Sequence, residues 1–308
     1  MYSLGFDIGG TTVKAGLFDD GMKMLCKLSV PTPYGDAEAL AKLIRSLADE
    51  LAPKDADIAD IPVGVTVPGA VDDSGRIKKL PNLGLADIPL GAMLEGEFGF
   101  PVRVCNDADA AALAELNTGA LRGVKNGLMI TIGTGLGGSV ILDGKLFAGG
   151  MGRGSELGHM ILARGGEPCG CGGRGCAETL CSASALARLA QKACNERTGM
   201  IYSLYASGAK PDAKLLIDCA MAGDEYALAA FGEYLDALSD ALASLVNLLD
   251  PEVIVVGGGV CAAGEFLLEP LRRLTARKCY FGSCGRIEAA ASGNDAGMIG
   301  AAIAGAER

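Results

Sequence analysis

Near the start of the chain, apolar and polar residues alternate and then run apolar on either side of a Gly-Gly-Thr-Thr turn in LGFDIGGTTVKAGLFD, which predicts a β-hairpin. The period then changes. Leu40, Leu43, Ile44, Leu47 and Leu51 recur at three- and four-residue steps and predict a helix from about Ala37 to Leu51. PVGVTVPGAVD follows as an apolar strand broken by Pro68 and Gly69. PVRVCNDADAAALAELNTGAL predicts a short strand at Val102 to Cys105, a polar pair at Asn106 and Asp107, and an alanine-rich helix. That pair stands at a strand's carboxyl end, where open α/β sheets place their ligands. A second strand-turn-strand unit, LMITIGTGLGGSVILDG, repeats the first about 125 residues later and predicts a duplicated fold with a nucleotide between its halves. Phe231, Leu235, Leu238, Leu242, Leu245 and Leu249 share one helical face, a core stripe that leads into the strand VIVVGGG. Asn294 and Asp295 are expected to cap a final small-residue helix through Ile303. The stretch from Glu196 to Asp212, with Gly199, Ser207, Gly208 and Pro211, reads as a mobile loop or an oligomer contact.

With 308 residues the chain has material for about two domains. Half of it is hydrophobic, yet no apolar run approaches the roughly 18 residues of a membrane span. Its opening residues enter a strand pattern rather than a secretory signal, so a soluble protein without a membrane partner is expected. A net charge of −10 argues against a nucleic-acid partner, because phosphate binding needs clustered Lys and Arg. Eleven cysteines, an odd number without disulfide-framework spacing, fit a reducing cytoplasm.

Four residues change this picture. The single histidine, His159, precedes CGCGGRGC, so His159, Cys169, Cys171 and Cys176 offer one imidazole and three thiolates within eighteen residues. That is a full tetrahedral set for structural Zn2+. The glycines between them allow a loop sharp enough for the sulfurs to converge. The alternative is a glycine-rich loop with incidental thiols or a disulfide.

Three glycine turns suggest phosphate binding. The first, DIGGTTVK, carries Asp7, Gly9, Gly10, Thr11, Thr12 and Lys14; glycine lets backbone amides approach an anion and threonine hydroxyls bond its oxygens. Gly133, Thr134, Gly135, Gly137 and Gly138 form the second, and Gly257, Gly258 and Gly259 the third. Asp7 would suit hydrated Mg2+ or, equally, bond its own turn. Asp107 would accept a proton from a sugar hydroxyl attacking phosphorus, although Asp107 and Asp109 also read as helix N-caps. Cys105 and Cys181 read as small buried hydrophobes, since no second histidine exists to activate them.

DIGGTTVK, VPGAVD, NDADAAALAE, IGTGLGG, SELGH, CGCGGRGC and VVGGGV, in this order, resemble the ROK family of bacterial sugar kinases and sugar-responsive repressors. The resemblance implies an α/β chain of the actin-like ATPase (ribonuclease H-like) fold, with two lobes of mixed sheets around a cleft for ATP and sugar. The expected lobes are 1–110 with 295–308, and 111–294. It implies ATP, Mg2+ and structural Zn2+, transfer to the 6-hydroxyl of a hexose, glucose foremost, and a homodimer or homotetramer in the cytoplasm. Allose, N-acetylmannosamine, N-acetylglucosamine and fructose are the alternative substrates. By position, Asp107 matches the family's base, while Asn106, Glu156, His159, Glu178, Gly69 and Asn82 match its sugar contacts. His159 would then serve zinc through one ring nitrogen and sugar through the other. After the zinc loop the chain reads ETLCSAS, with Leu180 and Cys181 where many glucose-specific members have an aromatic and a small residue, and Arg153 has no assigned role. The family's repressors add an N-terminal helix-turn-helix, for which Asp7, so near residue 1, leaves no room.

Overall fold

In the computed structural model, which describes residues 2–152 and 154–307, both alternating segments fold as antiparallel pairs that start a sheet. Arg153 lies outside the described residues. The chain forms two compact units.

The first unit opens with β1 (Tyr2–Ile8) and β2 (Thr12–Asp19), paired so that Asp7 faces Lys14 across the strands. A third strand, β3 (Met24–Pro31), continues the meander. The pattern hides β3 because its side chains are half-buried or exposed, with no apolar stripe to read. Helix α1 spans Ala37–Leu51, as its periodicity predicts; the Asp36 carboxylate caps it by accepting from the Ala39 amide at 2.9 Å. Next come β4 (Val63–Val67), a small antiparallel pair β5 (Ile77–Leu80) and β6 (Leu85–Ile88), α2 (Leu90–Phe98), β7 (Arg103–Asn106) and α3 (Asp107–Thr118). The main sheet runs β3-β2-β1-β4-β7, with β1, β4 and β7 parallel.

The second unit repeats this order. It contains β8 (Gly127–Ile132), β9 (Leu136–Leu142), β10 (Lys145–Leu146), α4 (Glu178–Cys181), α5 (Ala183–Asn195), α6 (Gly199–Ala206), α7 (Ala213–Met221), α8 (Glu225–Leu249), β11 (Val253–Gly257), α9 (Glu265–Lys278) and β12 (Arg286–Ala289). Its sheet runs β10-β9-β8-β11-β12, again two antiparallel strands followed by a parallel set. Two copies of one mixed sheet are the architecture of the actin-like ATPase fold. The stripe on α8 from Phe231 to Leu245 is buried in this unit's core.

Helix α10 (Ala296–Ala306) returns to the first unit. That unit runs to Arg122, includes 148–154 and resumes at Ala291; it keeps the whole of α3, whereas the expected boundary falls after residue 110. Among the described residues no helix is long and apolar enough to cross a membrane.

Two local expectations need correction. The stretch from Glu196 to Asp212 is not a loop throughout, because α6 occupies its middle. Buried Ile201 anchors that helix, and its amide donates at 3.1 Å to the Asp224 carboxylate, which also caps α8 by accepting from Ala227. Asn294 and Asp295 precede α10, but neither side chain is seen to cap it. Asp295 stands at the N-cap position without a capping bond and pairs with Lys27, while the Asn294 carbonyl accepts from Lys14 at 3.0 Å.

The small residues of α10 have a steric cause. The helix crosses β1, β4 and α3 backbone to backbone, so that a Cβ on Gly64 of β4 would collide with the Ala301 carbonyl and one on Gly300 with the carbonyl of Ala110. Gly64→Ala should therefore overpack this crossing and lower stability by about 3 kcal/mol or more. Urea unfolding of parent and variant reads this directly; a loss below about 1 kcal/mol would contradict the rigidity of the crossing.

Candidate active site and metal centre

The strand-to-helix step at residue 106 sets the chemistry of the first unit. Asn106 is the N-cap of α3: its Oδ1 accepts from the Ala108 amide at 2.7 Å, and its Nδ2 donates to the Gly69 carbonyl at 3.0 Å. The cap is thus Asn106 and not Asp107 or Asp109. Asp107 occupies the first turn, with Oδ1 accepting from the Ala108 amide at 2.9 Å. Desolvation by the surrounding protein pushes the Asp107 carboxyl up to about 6, although the residue is exposed on one side to solvent; the Ala108 amide opposes that rise and the nearby charge of Asp7 adds to it.

Asp7, at the end of β1, is also raised by burial, against the pull of Lys14. The Lys14 Nζ lies 3.5 Å from the Asp7 carboxylate. Gly297 of α10 admits Asp7 closely, since a Cβ there would stand 2.7 Å from its carboxyl carbon. The turn itself is closed by the Gly9 amide donating to Thr12 and braced by the Thr32 hydroxyl donating to the Gly9 carbonyl at 2.8 Å. Thr32 escaped sequence reading because it lies twenty-three residues from its partner. Asn82 is exposed beside Gly10, where a Cβ would come within 3.2 Å of it. Structure thus gathers Asp7, Gly9 to Thr12, Lys14 and Asn82 around one turn, and joins Gly69 to Asn106.

In the second unit, three motifs converge on the turn between β8 and β9. The Gly133 amide closes it on the Gly135 carbonyl at 3.1 Å. Glu178, at the start of α4, accepts from the Leu136 amide at 3.1 Å. Gly158 of the Glu-Leu-Gly-His motif packs where a Cβ would strike the Leu136 carbonyl, and Gly258, after β11, lies against the Ile132 carbonyl. Glu156 is exposed just ahead of the turn Leu157–His159. Ser184 was not foreseen; its hydroxyl donates to the Thr134 carbonyl at 2.7 Å. Cys181 is buried, and its carbonyl accepts from the hydroxyl of Tyr234 at 3.0 Å, so it belongs to the core. Burial raises the Cys105 thiol to about 12, and it too is no nucleophile.

His159, Cys169, Cys171 and Cys176 present ligand atoms that all lie within 4.8 Å of one another. Cys171 Sγ and Cys176 Sγ are 3.7 Å apart, as are Cys169 Sγ and His159 Nδ1. A tetrahedron with Zn–S bonds of about 2.3 Å has edges of roughly 3.6–3.8 Å, so the set fits zinc and is too wide for a disulfide. Nδ1 is the histidine nitrogen that faces the thiols, and none of the described residues bonds Nε2.

The ROK family pattern matches residues 3–307. A glucokinase from Halalkalibacterium halodurans is 38% identical over 307 residues, covering 96% of this chain and 92% of that protein. A glucokinase from Thermotoga maritima is 36% identical over 305 residues, with 97% and 95% covered. Among solved structures, a ROK family glucokinase from Streptomyces griseus in complex with glucose and AMPPNP superposes with a TM-score of 0.82 at 34% identity, with 98% of each chain covered.

Two outcomes follow from the site geometry. Freshly purified protein should hold about one zinc per chain by metal analysis, and Cys171→Ser should lower both zinc content and melting temperature. Zinc-free protein with an unchanged melting temperature would remove the metal from this loop. The raised carboxyl of Asp107 makes a claim about stability. Its proton is held more tightly folded than unfolded, so its contribution is fully present below about pH 4 and is lost as pH rises through about 6. Asp107→Asn, which keeps the shape without the charge, should gain stability at pH 8, by clearly less than the roughly 3 kcal/mol of a fully buried carboxylate because solvent screens an exposed one, and nothing at pH 4. Denaturant titrations of parent and variant at the two pH values test the sign.

Proposed function

The chain belongs to the ROK family, and we propose that it is an ATP-dependent hexose kinase that passes the γ-phosphoryl group of ATP to the 6-hydroxyl of glucose. The observation that carries this reading is Asp107, a carboxylate at a strand's carboxyl end that is open to solvent and to an incoming hydroxyl, yet whose pKa is lifted to about 6 by the protein around it. Such a group is ionised at neutral pH yet holds a proton better than an ordinary aspartate, as a general base must. Asp107 takes the proton from the sugar hydroxyl as its oxygen attacks the γ-phosphorus. The new O–P bond forms, the bond to the bridging oxygen breaks, and ADP leaves.

The other roles are positional. Gly69, Asn82, Asn106, Glu156, Glu178 and His159 are proposed to hold the sugar hydroxyls, with His159 using Nε2 while Nδ1 faces the metal loop. With Oδ1 accepting in the cap and one Nδ2 hydrogen given to Gly69, the Asn106 amide has a second Nδ2 hydrogen to offer. The turns at Gly9 to Thr12, Gly133 to Gly137 and Gly257 to Gly259 are proposed to receive the ATP phosphates through backbone amides, with Lys14 beside the first. Bound Mg2+ supplies charge neutralisation at those phosphates, and Asp7 is the carboxylate that would hold it through water. Zinc has a closed ligand set and a purely structural task. Glucose is favoured over other hexoses by the identity to the glucokinases. The departure at Cys181 does not weaken that choice, because its side chain faces the core. We further propose that the protein works in the cytoplasm as a homodimer or homotetramer and binds no nucleic acid, in keeping with its −10 charge and unpaired cysteines.

A coupled ADP-release assay across glucose, allose, mannose, fructose, N-acetylglucosamine and N-acetylmannosamine should give its highest kcat/KM with glucose. Its logarithm should rise with pH through about 6 and then level off, since only ionised Asp107 accepts the proton. Asp107→Asn should lower kcat by on the order of 10² to 10⁴ while sugar and nucleotide affinities change much less. No sugar-dependent ADP release from any of the six, or near-parental turnover in Asp107→Asn, would sink the assignment.

A further inference from the structure

Glu178 sits where the metal loop ends and α4 begins, and its two carboxylate oxygens face different neighbours. Oε2 accepts from the Leu136 amide, in the turn after β8, at 3.1 Å. Oε1 stands 3.5 Å from the Cys169 Sγ. The approach is built in, because a Cβ on Gly135 would collide with Oε2 and only glycine leaves the carboxylate room. Two further bonds reach the same turn from residues just beyond Glu178. The Ala183 amide donates to the Gly133 carbonyl at 2.8 Å, and the Ser184 hydroxyl donates to the Thr134 carbonyl at 2.7 Å. This segment is anchored in turn to the metal loop, for the Thr179 hydroxyl donates to the carbonyl of the ligand Cys176 at 2.7 Å and the Ala177 amide to Met160.

We propose that Glu178 is a positioning residue for the nucleotide: it latches the β8–β9 phosphate turn to the metal loop, so that this loop sets affinity for MgADP and MgATP as well as for sugar. The inference rests on the kinase reading for the identity of the anion. Its physical basis is the division of labour between the oxygens. Oε2 is committed to a backbone amide of the turn. Oε1 is turned to the metal loop, 3.5 Å from the Cys169 Sγ. A turn tied at Gly133, Thr134 and Leu136 meets the phosphates already ordered and loses less freedom on binding. If Glu178 served sugar alone, nucleotide binding without sugar would not depend on it.

The test is calorimetric titration of MgADP into the zinc-loaded protein with no sugar present. Glu178→Ala should weaken MgADP binding about tenfold, and Glu178→Gln, whose amide oxygen still accepts from Leu136, should stay within about threefold of the parent. Ser184→Ala touches the same turn and no proposed sugar contact; it should weaken MgADP binding by a smaller factor, about threefold. Should Glu178→Ala not fold, Glu178→Met fills the space without an acceptor, and the contrast is read between Met and Gln. Equal MgADP affinity for the parent and Glu178→Ala, or for Met and Gln, overturns the latch even if sugar affinity falls. A parent that binds MgADP but phosphorylates no hexose would sink the kinase reading and leave this test readable. A parent that binds no MgADP overturns both.

Discussion

Helix α10 lies against β1, β4 and α3 with backbone touching backbone, and the acids of the first unit take their places from that contact. Gly300 lets it meet α3 at Ala110, three residues into the helix that Asp107 begins, and Gly297 lets it meet Asp7 at the end of β1. A larger residue at either point would push apart the helix and strand that carry the two carboxylates. Desolvation by the packed backbone raises both carboxyls, although Asp7 is half-buried and Asp107 open to solvent. The composition of α10, which by itself looks like a featureless run of alanine and glycine, is thus the steric condition for the electrostatics of the site.

Those electrostatics run against stability. A carboxylate with a lifted pKa is a cost the fold carries at neutral pH, opposed at Asp7 by the pull of Lys14. At Asp107 two backbone amides, of Ala108 and of Asp107 itself, offset part of the cost, and the charges of Asp7 and Asp109 increase it. Good packing elsewhere in the unit sustains this arrangement, including the buried Glu115, which receives the amides of Ala120 and Ser292 at 2.8 and 2.7 Å. Strain of this electrostatic kind is expected where a group must accept a proton at physiological pH.

In the second unit the corresponding constraint is crowding at Leu136. Its amide goes to Glu178 and its carbonyl faces Gly158, so the acid after the metal loop and the Glu-Leu-Gly-His motif both close on one residue of the turn. The two residues that close on Leu136 bracket the metal ligands in sequence, Gly158 just before His159 and Glu178 just after Cys176. A zinc ion there has a mechanical reading: it fixes two chain segments whose free movement would loosen the turn.

Local periodicity and turn chemistry by themselves determined much of this protein. The hairpins around Gly9 to Thr12 and Gly133 to Gly138, the exact span of α1, the core stripe of α8 and the tetrahedral ligand set all follow from residues near one another in the chain, where side-chain spacing and backbone geometry are coupled. What the tertiary structure alone decided involves partners far apart in sequence. Asn106 rather than Asp107 caps α3 while holding Gly69, Lys14 reaches across 280 residues to Asn294, and Asp295 turns from its helix to Lys27. Helix α6 exists because Ile201 finds a core and Asp224 an amide, neither visible in its own glycine-rich stretch. The pKa of Asp107 and the divided loyalty of Glu178 are of the same kind, since burial and hydrogen-bond partners are properties of packing, and a list of residues carries them only once the chain has folded.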